Sequence, residues 1–292
     1  MSSPLSFSAL PQELDSGIDA RLRKLNERLG SMKSVAIGFS GGVDSSFLLA
    51  AAIRVPGLRV VAFTAESPSL PAGDRADAES LARHLKVDHR YMKTAEMENP
   101  GYVANEPDRC YHCKSTLFRA LFQAAAQEGL QYVLDGSNAE DASDYRPGRA
   151  AAAELGVRSP LAEVGFTKKE IRDVSRQWGL PTADKPAAAC LSSRVPYGTP
   201  ISFEVLQNID RAEHAMRRLG FPCVRVRAHG DVARIEVAPE SIPTAAGAMR
   251  SHIVEAVREA GFRYISLDLT GYRMGSLNEA LESFVPGRDP PG

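Results

Sequence analysis

Val35-Ala36-Ile37-Gly38-Phe39 runs into Ser40-Gly41-Gly42-Val43-Asp44-Ser45-Ser46, which runs into Phe47-Leu48-Leu49-Ala50-Ala51-Ala52-Ile53. The first segment reads as a buried strand and the last as a helix. Between them a Gly-Gly turn presents backbone amides with no Cβ in the way of an anion. The helix that follows adds its dipole and its unpaired N–H groups. Ser40, Ser45 and Ser46 add hydroxyl donors. This is a site for phosphate, with pyrophosphate the better fit. The alternative is an ordinary β–α turn with a capping serine.

The turn is not a Walker loop, because no lysine follows its glycines. Ser-Gly-Gly-x-Asp-Ser resembles the PP-loop of the ATP pyrophosphatases. The resemblance implies that ATP is cleaved between its α and β phosphates, an oxygen is adenylated and pyrophosphate departs. It also implies Mg²⁺, with Asp44 a ligand directly or through water.

Outward from this loop, the pattern alternates. Leu14 to Leu29 has helical spacing. Leu58 to Thr64, His89 to Met92 and Tyr132 to Asp135 read as strands. Asp74 to Leu85, with Asp74 as cap, and Lys114 to Gln127 read as helices. Thr167 to Trp178 is a helix whose Thr167 and Glu170 form a capping box, with Trp178 packing near its end. Strands alternating with helices imply an α/β fold with a parallel sheet covered on both faces. Ligands of such sheets bind beyond the carboxyl ends of the strands. The PP-loop, Thr64 to Ser67 and Asp135 to Asp141, including Asn138, all fall at that edge and would share one nucleotide pocket.

Asp184 to Ser202 is rich in Pro, Gly, Ser and Ala and reads as irregular. Beyond it the pattern changes: a helix at Glu204 to Leu219, a hairpin of Cys223 to Arg227 and Val232 to Val237 around His229-Gly230-Asp231, a helix at Ile253 to Ala260 and a strand at Tyr264 to Leu269. The expected division is 13–203 for the PP-loop domain, 204–284 for a smaller α+β domain, and 285–292 for a disordered tail.

The chain has 292 residues, 43% hydrophobic and 24% charged, enough for a full core in one large or two medium domains. A formal net charge of −1 argues against a broad nucleic-acid-binding face. No segment is long and apolar enough to span a membrane, and residues 1–14 lack a signal-peptide pattern. The expectation is a cytoplasmic enzyme. In that setting the four cysteines, Cys110, Cys113, Cys190 and Cys223, suggest metal or thiol chemistry rather than disulfides.

Arg109-Cys110-Tyr111-His112-Cys113-Lys114 contains a Cys-x-x-Cys preceded by a polar loop. It fits half a zinc site, a redox pair, two ligands of an iron–sulfur cluster, or two incidental loop cysteines. His112 reads as a loop residue. No second pair exists to complete a zinc ribbon. Cys190 lies in Asp184-Lys185-Pro186-Ala187-Ala188-Ala189-Cys190-Leu191-Ser192-Ser193-Arg194. With Lys185 and Arg194 nearby it suggests an accessible, activated thiolate; the alternative is a small buried apolar side chain.

The PP-loop, Asp135-Gly136-Ser137-Asn138, Asp144-Tyr145-Arg146-Pro147-Gly148 and Lys185-Pro186 with Cys190-Leu191-Ser192-Ser193-Arg194 together resemble the LarE family of ATP-dependent sulfur transferases, over roughly residues 13–284. The resemblance implies a pyridinium-3,5-dicarboxylate mononucleotide as substrate. ATP adenylates one carboxylate, and a sulfur nucleophile displaces AMP to give a thiocarboxylate, the precursor of a nickel-pincer cofactor. It implies one of two sulfur sources. Either Cys190 is sacrificed and becomes dehydroalanine, or Cys110, Cys113 and Cys190 hold a 4Fe-4S cluster that carries sulfide. The three cysteines match the second pattern, which suits three thiolate ligands and one open iron.

Arg225 and Arg227 are two apart on an expected strand and share a face. The resemblance assigns them the substrate phosphate, against a plain solvated charged face. Arg194 is a candidate contact to AMP or to developing negative charge. Glu213 and Glu236 are possible metal contacts, and Cys223 reads as core. The resemblance also suggests a homo-oligomer. Competing functions are a tRNA-thiolating PP-loop enzyme, which calls for a basic surface, an ammonia-using amidotransferase, for which no glutaminase domain is visible, and a non-enzymatic nucleotide-binding regulator.

Overall fold

The computed structural model describes residues 15–142, 147–186 and 189–273. Asp144 to Arg146 of the third motif, Ala187 and Ala188, and the tail from 285 lie outside them. The chain divides into two compact units, Met1–Asn99 with Asp108–Ala188, and Pro100–Pro107 with Ala189–Gly292. This division falls ahead of the boundary at 203/204 expected from the pattern. The irregular stretch after Ala189 joins the later elements because Arg194 is ion-paired to Glu213, 2.8 Å away and fully buried. Asn105 explains the outlying segment. It has φ +56° and donates to the carbonyls of Pro196 and Thr199 at 2.7 and 2.8 Å.

The first unit runs α1 (Ser16–Gly30), β1 (Ser34–Gly38), α2 (Val43–Ala52), β2 (Arg59–Glu66), α3 (Ala72–His84) and β3 (Asp88–Lys93). After α4 (Pro100–Val103), which belongs to the second unit, come α5 (Arg109–Gln127), β4 (Tyr132–Leu134), α6 (Pro147–Glu154), α7 (Pro160–Glu163) and α8 (Lys168–Gln177). The strands form one parallel sheet in the order β3-β2-β1-β4. Its two faces are both buried, as alternation along β1 makes plain. Val35 and Ile37 join the cluster containing Leu25, Phe47, Leu48 and Val174, while Ala36 joins the one containing Phe118, Leu121 and Ala125. Trp178 stacks on Phe47 with 5.0 Å between ring centroids, the packing role expected of it.

The capping box at Thr167 is present: its hydroxyl accepts from the Glu170 N–H, and the Glu170 carboxylate accepts from the Thr167 N–H. Asp74 is not a cap. Helix α3 begins earlier, with Pro71 at its N-cap, and Asp74 lies within the first turn. The Cys-x-x-Cys is not in a loop either. Helix α5 starts at Arg109, so Cys110, His112 and Cys113 stand on its opening turn, where the sequence expectation began the helix at Lys114.

The second unit contains α9 (Phe203–Arg218), β5 (Val224–His229), β6 (Val232–Val237), α10 (Ile242–Ala246), α11 (Arg250–Glu259) and β7 (Tyr264–Leu267). β5 and β6 are the expected antiparallel hairpin, with Gly230 at φ +57° in the turn. β7 pairs parallel to β6, so α10 and α11 form the crossover that a parallel connection needs. No helix among the described residues is long and apolar enough to cross a membrane.

Candidate active site

β1 delivers the chain to Ser40, and α2 takes it up again at Val43 with Gly42 as the N-cap. No side chain caps this helix, so its first N–H groups face the carboxyl edge of the sheet. Gly41 has φ +68°, and a Cβ there would lie 3.0 Å from the backbone N and Cα of Ala78 in α3. Gly136, just past β4, is as constrained: its Cβ would lie 2.7 Å from the backbone N of Ser45. The loop is thus held in backbone contact from two sides, and glycine is required at both positions.

Ser40 and Ser45 lock the turn from within. Their hydroxyls are 3.3 Å apart, and Ser45 Oγ donates to the Gly42 carbonyl at 3.3 Å. Ser46 is fully buried and its hydroxyl has no partner among the described residues. Asp44 lies in the first turn of α2. One carboxylate oxygen, Oδ2, is ion-paired to Lys168 Nζ at the start of α8; the other, Oδ1, is buried with no hydrogen-bond partner among the described residues. An orphaned carboxylate oxygen beside an anion-binding turn is the donor type that Mg²⁺ takes.

Around this centre stand the other expected nucleotide contacts. Thr64, at the end of β2, is buried; its hydroxyl donates to the Phe39 carbonyl at 2.6 Å and lies 2.8 Å from His89 Nε2. Burial holds His89 below the usual imidazole pKa, against the opposing charges of Glu79 and Asp88. Ser67 donates to the buried Glu96 and meets Ser69 Oγ at 2.7 Å. Asn138 is buried, and its side-chain oxygen accepts from the N–H groups of Glu140 and Asp141, shaping the loop after β4.

Cys110 and Cys113 are three residues apart on the first turn of α5 and therefore share one face. Cys110 is exposed and Cys113 half-buried. His112 pairs with Asp108 at 3.3 Å. Gly148, the second residue of α6, lies against this turn; a Cβ would lie 3.4 Å from the Cys110 carbonyl. Among the described residues no three His, Cys, Asp or Glu side chains are gathered to hold a metal ion.

In the second unit Cys190 is the exposed N-cap of a short 3-10 turn, Leu191–Arg194. Its carbonyl accepts from Ser193 Oγ at 2.7 Å and Arg194 Nη1 at 2.9 Å. Arg194 is buried, with Nε and Nη2 on Glu213 and Nη1 also on the Ala189 carbonyl. Its side chain shapes the Cys190 turn rather than offering an open contact to a nucleotide. The two cations expected to activate the thiol are each committed to carboxylates. Lys185 is paired with Asp74 and Asp77, and Arg194 with Glu213.

Arg225 and Arg227 project from the same face of β5, as expected, but differ in partner. Arg227 is buried, bound to Glu236 at 2.9 and 3.0 Å and to the Ser193 carbonyl at 2.7 Å. Arg225 lies over the Tyr272 ring, 5.1 Å from its centroid, with no carboxylate in ion-pair range among the described residues. Burial, then the charge of Arg194, lowers its pKa. Glu213 and Glu236 are each clamped by arginines, two apiece, which leaves them poor metal contacts. Cys223 is exposed, not core.

A family model described as asparagine synthase matches residues 19–141, the stretch holding the PP-loop and all four strands of the parallel sheet. An uncharacterized protein of Synechocystis is 44% identical over 265 residues, 90% of this chain and 99% of that protein. The pyridinium-3,5-bisthiocarboxylic acid mononucleotide synthase of Lactiplantibacillus plantarum is 36% identical over 254 residues, 87% of this chain and 92% of that one. The chain belongs to the LarE family. It is a LarE-like PP-loop enzyme that uses ATP to insert sulfur. The tRNA-specific 2-thiouridylase MnmA of Pelobacter propionicus is 27% identical over 185 residues, covering 52% of this LarE-family chain but only 51% of MnmA.

Two residues of this LarE-family site escaped sequence reasoning. Lys168 hides behind a capping box that explains its neighbours without it. Lys185 reads as a partner for Cys190 because the two are close in sequence. In neither case does spacing reveal the contact, since Asp44 is 124 positions from Lys168 and Gly41 is 144 from Lys185.

Proposed function

We propose that this enzyme inserts sulfur into pyridinium-3,5-dicarboxylate mononucleotide to make the thiocarboxylate precursor of a nickel-pincer cofactor. The observation that carries this reading is the likeness, over most of both chains, to a synthase named for the bisthiocarboxylic product. The likeness to MnmA spans about half of that protein, which speaks for the PP-loop they have in common and not for tRNA. The formal charge of −1 agrees.

ATP lays its phosphates on the amides of Gly41 to Asp44 and the α2 N-terminus. Asp44 is the residue that would hold Mg²⁺, which would neutralise charge on the departing pyrophosphate. A substrate carboxylate oxygen attacks the α phosphorus, the α–β bridging bond breaks, and an acyl-adenylate forms. Lys168, ion-paired to Asp44, is the cation this reading sets against the same phosphates. A sulfur nucleophile then adds to the acyl carbon and AMP leaves with the C–O electron pair. Adenylation is needed because a free carboxylate is a poor electrophile. Arg225, with its guanidinium uncommitted to a carboxylate among the described residues, is the better of the two arginines for the substrate phosphate.

For the sulfur source we favour a 4Fe-4S cluster ligated by Cys110, Cys113 and Cys190. Two thiols on one face of a helix turn suit two such ligands, and Cys190 is the third the reading needs. When bound, the cluster would present sulfide on its open iron. The second reading is a sacrificial Cys190, favoured by its exposed thiol on a turn fixed by Arg194.

Anaerobic purification with iron and acid-labile sulfide counts tests the choice. About four irons per chain, lost in Cys110→Ala and Cys113→Ala, supports the cluster. Iron-free protein that still releases pyrophosphate, and whose Cys190 loses the mass of H₂S per turnover, overturns it.

A further inference from the structure

Lys185 is a built contact that neither the sulfur chemistry nor the loop motif uses. Its ammonium has three N–H groups and meets three acceptors: Asp74 Oδ1 at 2.9 Å, Asp77 Oδ2 at 2.8 Å and the Gly41 carbonyl at 3.4 Å. The two carboxylates stand one turn apart at the start of α3, the helix against whose Ala78 backbone Gly41 is pressed. The lysine backbone is fixed as well. Its N–H donates to the Thr182 carbonyl at 3.0 Å, and its carbonyl accepts from Arg172 Nη2 at 2.8 Å. Arg172 also holds the Ala183 carbonyl at 2.6 Å, and Arg176 pairs with Asp184. The side chain thus leaves a rigid base. Burial works against its charge, yet hydrogen bonds to Asp77 and Asp74 hold its pKa above the usual lysine value.

The electrostatics of this cluster need an explanation. A loop built to take a polyphosphate stands beside two carboxylates, which repel it. With Lys185 in place the cluster carries one net negative charge; without it, two. The same ammonium orients the Gly41 carbonyl, and a carbonyl turned toward Lys185 is turned away from the anion that the neighbouring amides receive. Lys185 therefore bears on this loop from 144 positions away, through the Gly41 carbonyl and the two acids and not, as a Walker lysine does, on the phosphates themselves.

We infer that Lys185 is a positioning residue for ATP: it neutralises Asp74 and Asp77 and fixes the Gly41 peptide so that the loop accepts phosphate. This rests on the reading of residues 40–46 as the ATP loop. Asp74 and Asp77 are then the groups that make the lysine necessary.

The test is equilibrium titration of the full-length protein with Mg·ATP, no pyridinium substrate present, for wild type, Lys185→Met, Asp74→Asn/Asp77→Asn, and the triple variant. Wild-type binding checks the loop reading by itself. Given that, Lys185→Met is expected to weaken ATP binding about tenfold or more, the scale of one charge-assisted contact. The triple variant is expected to recover to within about threefold of wild type, because the repulsion goes with the acids. The double variant binds as tightly as wild type or tighter. Turnover at saturating ATP falls far less than KM for ATP rises. A Lys185→Met protein with wild-type affinity, or a triple variant as weak as the single, overturns the inference. Should Lys185→Met fail to fold by circular dichroism, the double variant decides: weakened ATP binding there sinks the proposal.

Discussion

Lys168 Nζ is ion-paired to Asp44 Oδ2 while Asp44 Oδ1 is buried without a hydrogen-bond partner among the described residues. One oxygen of this carboxylate is paired by the protein and the other has no partner among the described residues. An unsatisfied buried oxygen costs free energy, and functional sites are where such a cost persists. Asp44→Asn is expected to cut pyrophosphate release by about a hundredfold, the scale of losing one preorganised electrostatic contact. Lys168→Met should raise KM for ATP with little change in thermal stability, since both partners are partly exposed. A pyrophosphate-coupled assay with a melting curve separates the two; an Asp44→Asn enzyme of undiminished rate would remove Asp44 from the reaction.

Glycines of similar backbone conformation should differ in consequence. Gly41 and Gly57 have φ +68° and +78°, but a Cβ at Gly41 meets the Ala78 backbone and one at Gly57 meets nothing within 4 Å. Alanine at either carries the left-handed penalty of about 1–2 kcal/mol. Of these two, Gly41→Ala alone also displaces the loop, so it should lose ATP binding and Gly57→Ala should keep it. Gly136→Ala, facing the Ser45 backbone at 2.7 Å, should lose about 1–3 kcal/mol by overpacking. Chemical denaturation and ATP titration of the three variants check this.

The buried Arg194–Glu213 pair should give the second unit a pH-dependent stability. Burial opposes ionisation of Glu213, but the hydrogen bond and charge of Arg194, with Arg225 and Arg217 behind it, hold its pKa below the usual carboxylate value. A folded-state pKa below the unfolded one adds stability that is fully present above about pH 4.5. That contribution is lost as pH falls through the lower folded value. Glu213→Ala leaves Arg194 buried and unpaired, which costs about 3–5 kcal/mol. Denaturant midpoints from pH 3 to 7 should converge for wild type and variant at the acid end. Parallel curves at all pH would contradict the pairing.

The cysteines make a separable set. Under the cluster reading Cys110→Ser, Cys113→Ser and Cys190→Ser each lose iron and sulfur insertion, while ATP binding survives, because the PP-loop uses no thiol. Cys223→Ser, exposed at the edge of the hairpin, leaves both unchanged. Iron content, ATP affinity and thiocarboxylate product measured on the four variants check the pattern; retained sulfur insertion by Cys110→Ser would set that thiol outside the chemistry.

Local order was legible where local rules govern it. The strand–loop–helix around Ser40, the capping box at Thr167 and the turn at Gly230 all follow from residues within a few positions of one another. The start of α5 was not legible, because Arg109 to Cys113 reads as polar loop and nothing in it signals a cap; Asp108 makes no side-chain capping bond. Arg225 and Arg227 looked equivalent by their spacing; the β5–β6 register sets Glu236 opposite Arg225, yet its carboxylate binds Arg227 on the diagonal, which side-chain packing and not spacing decides.

By itself the sequence determined the PP-loop, the parallel α/β architecture, the smaller mixed unit after it and the family. These rest on short-range periodicity and a motif whose meaning lies in adjacent residues. Tertiary structure alone decided which charges are committed. Lys168 goes to Asp44, Lys185 to Asp74 and Asp77, Arg194 to Glu213 and Arg227 to Glu236. The physical reason is that an ion pair depends on distance in space, and the fold sets that distance between residues the chain keeps far apart.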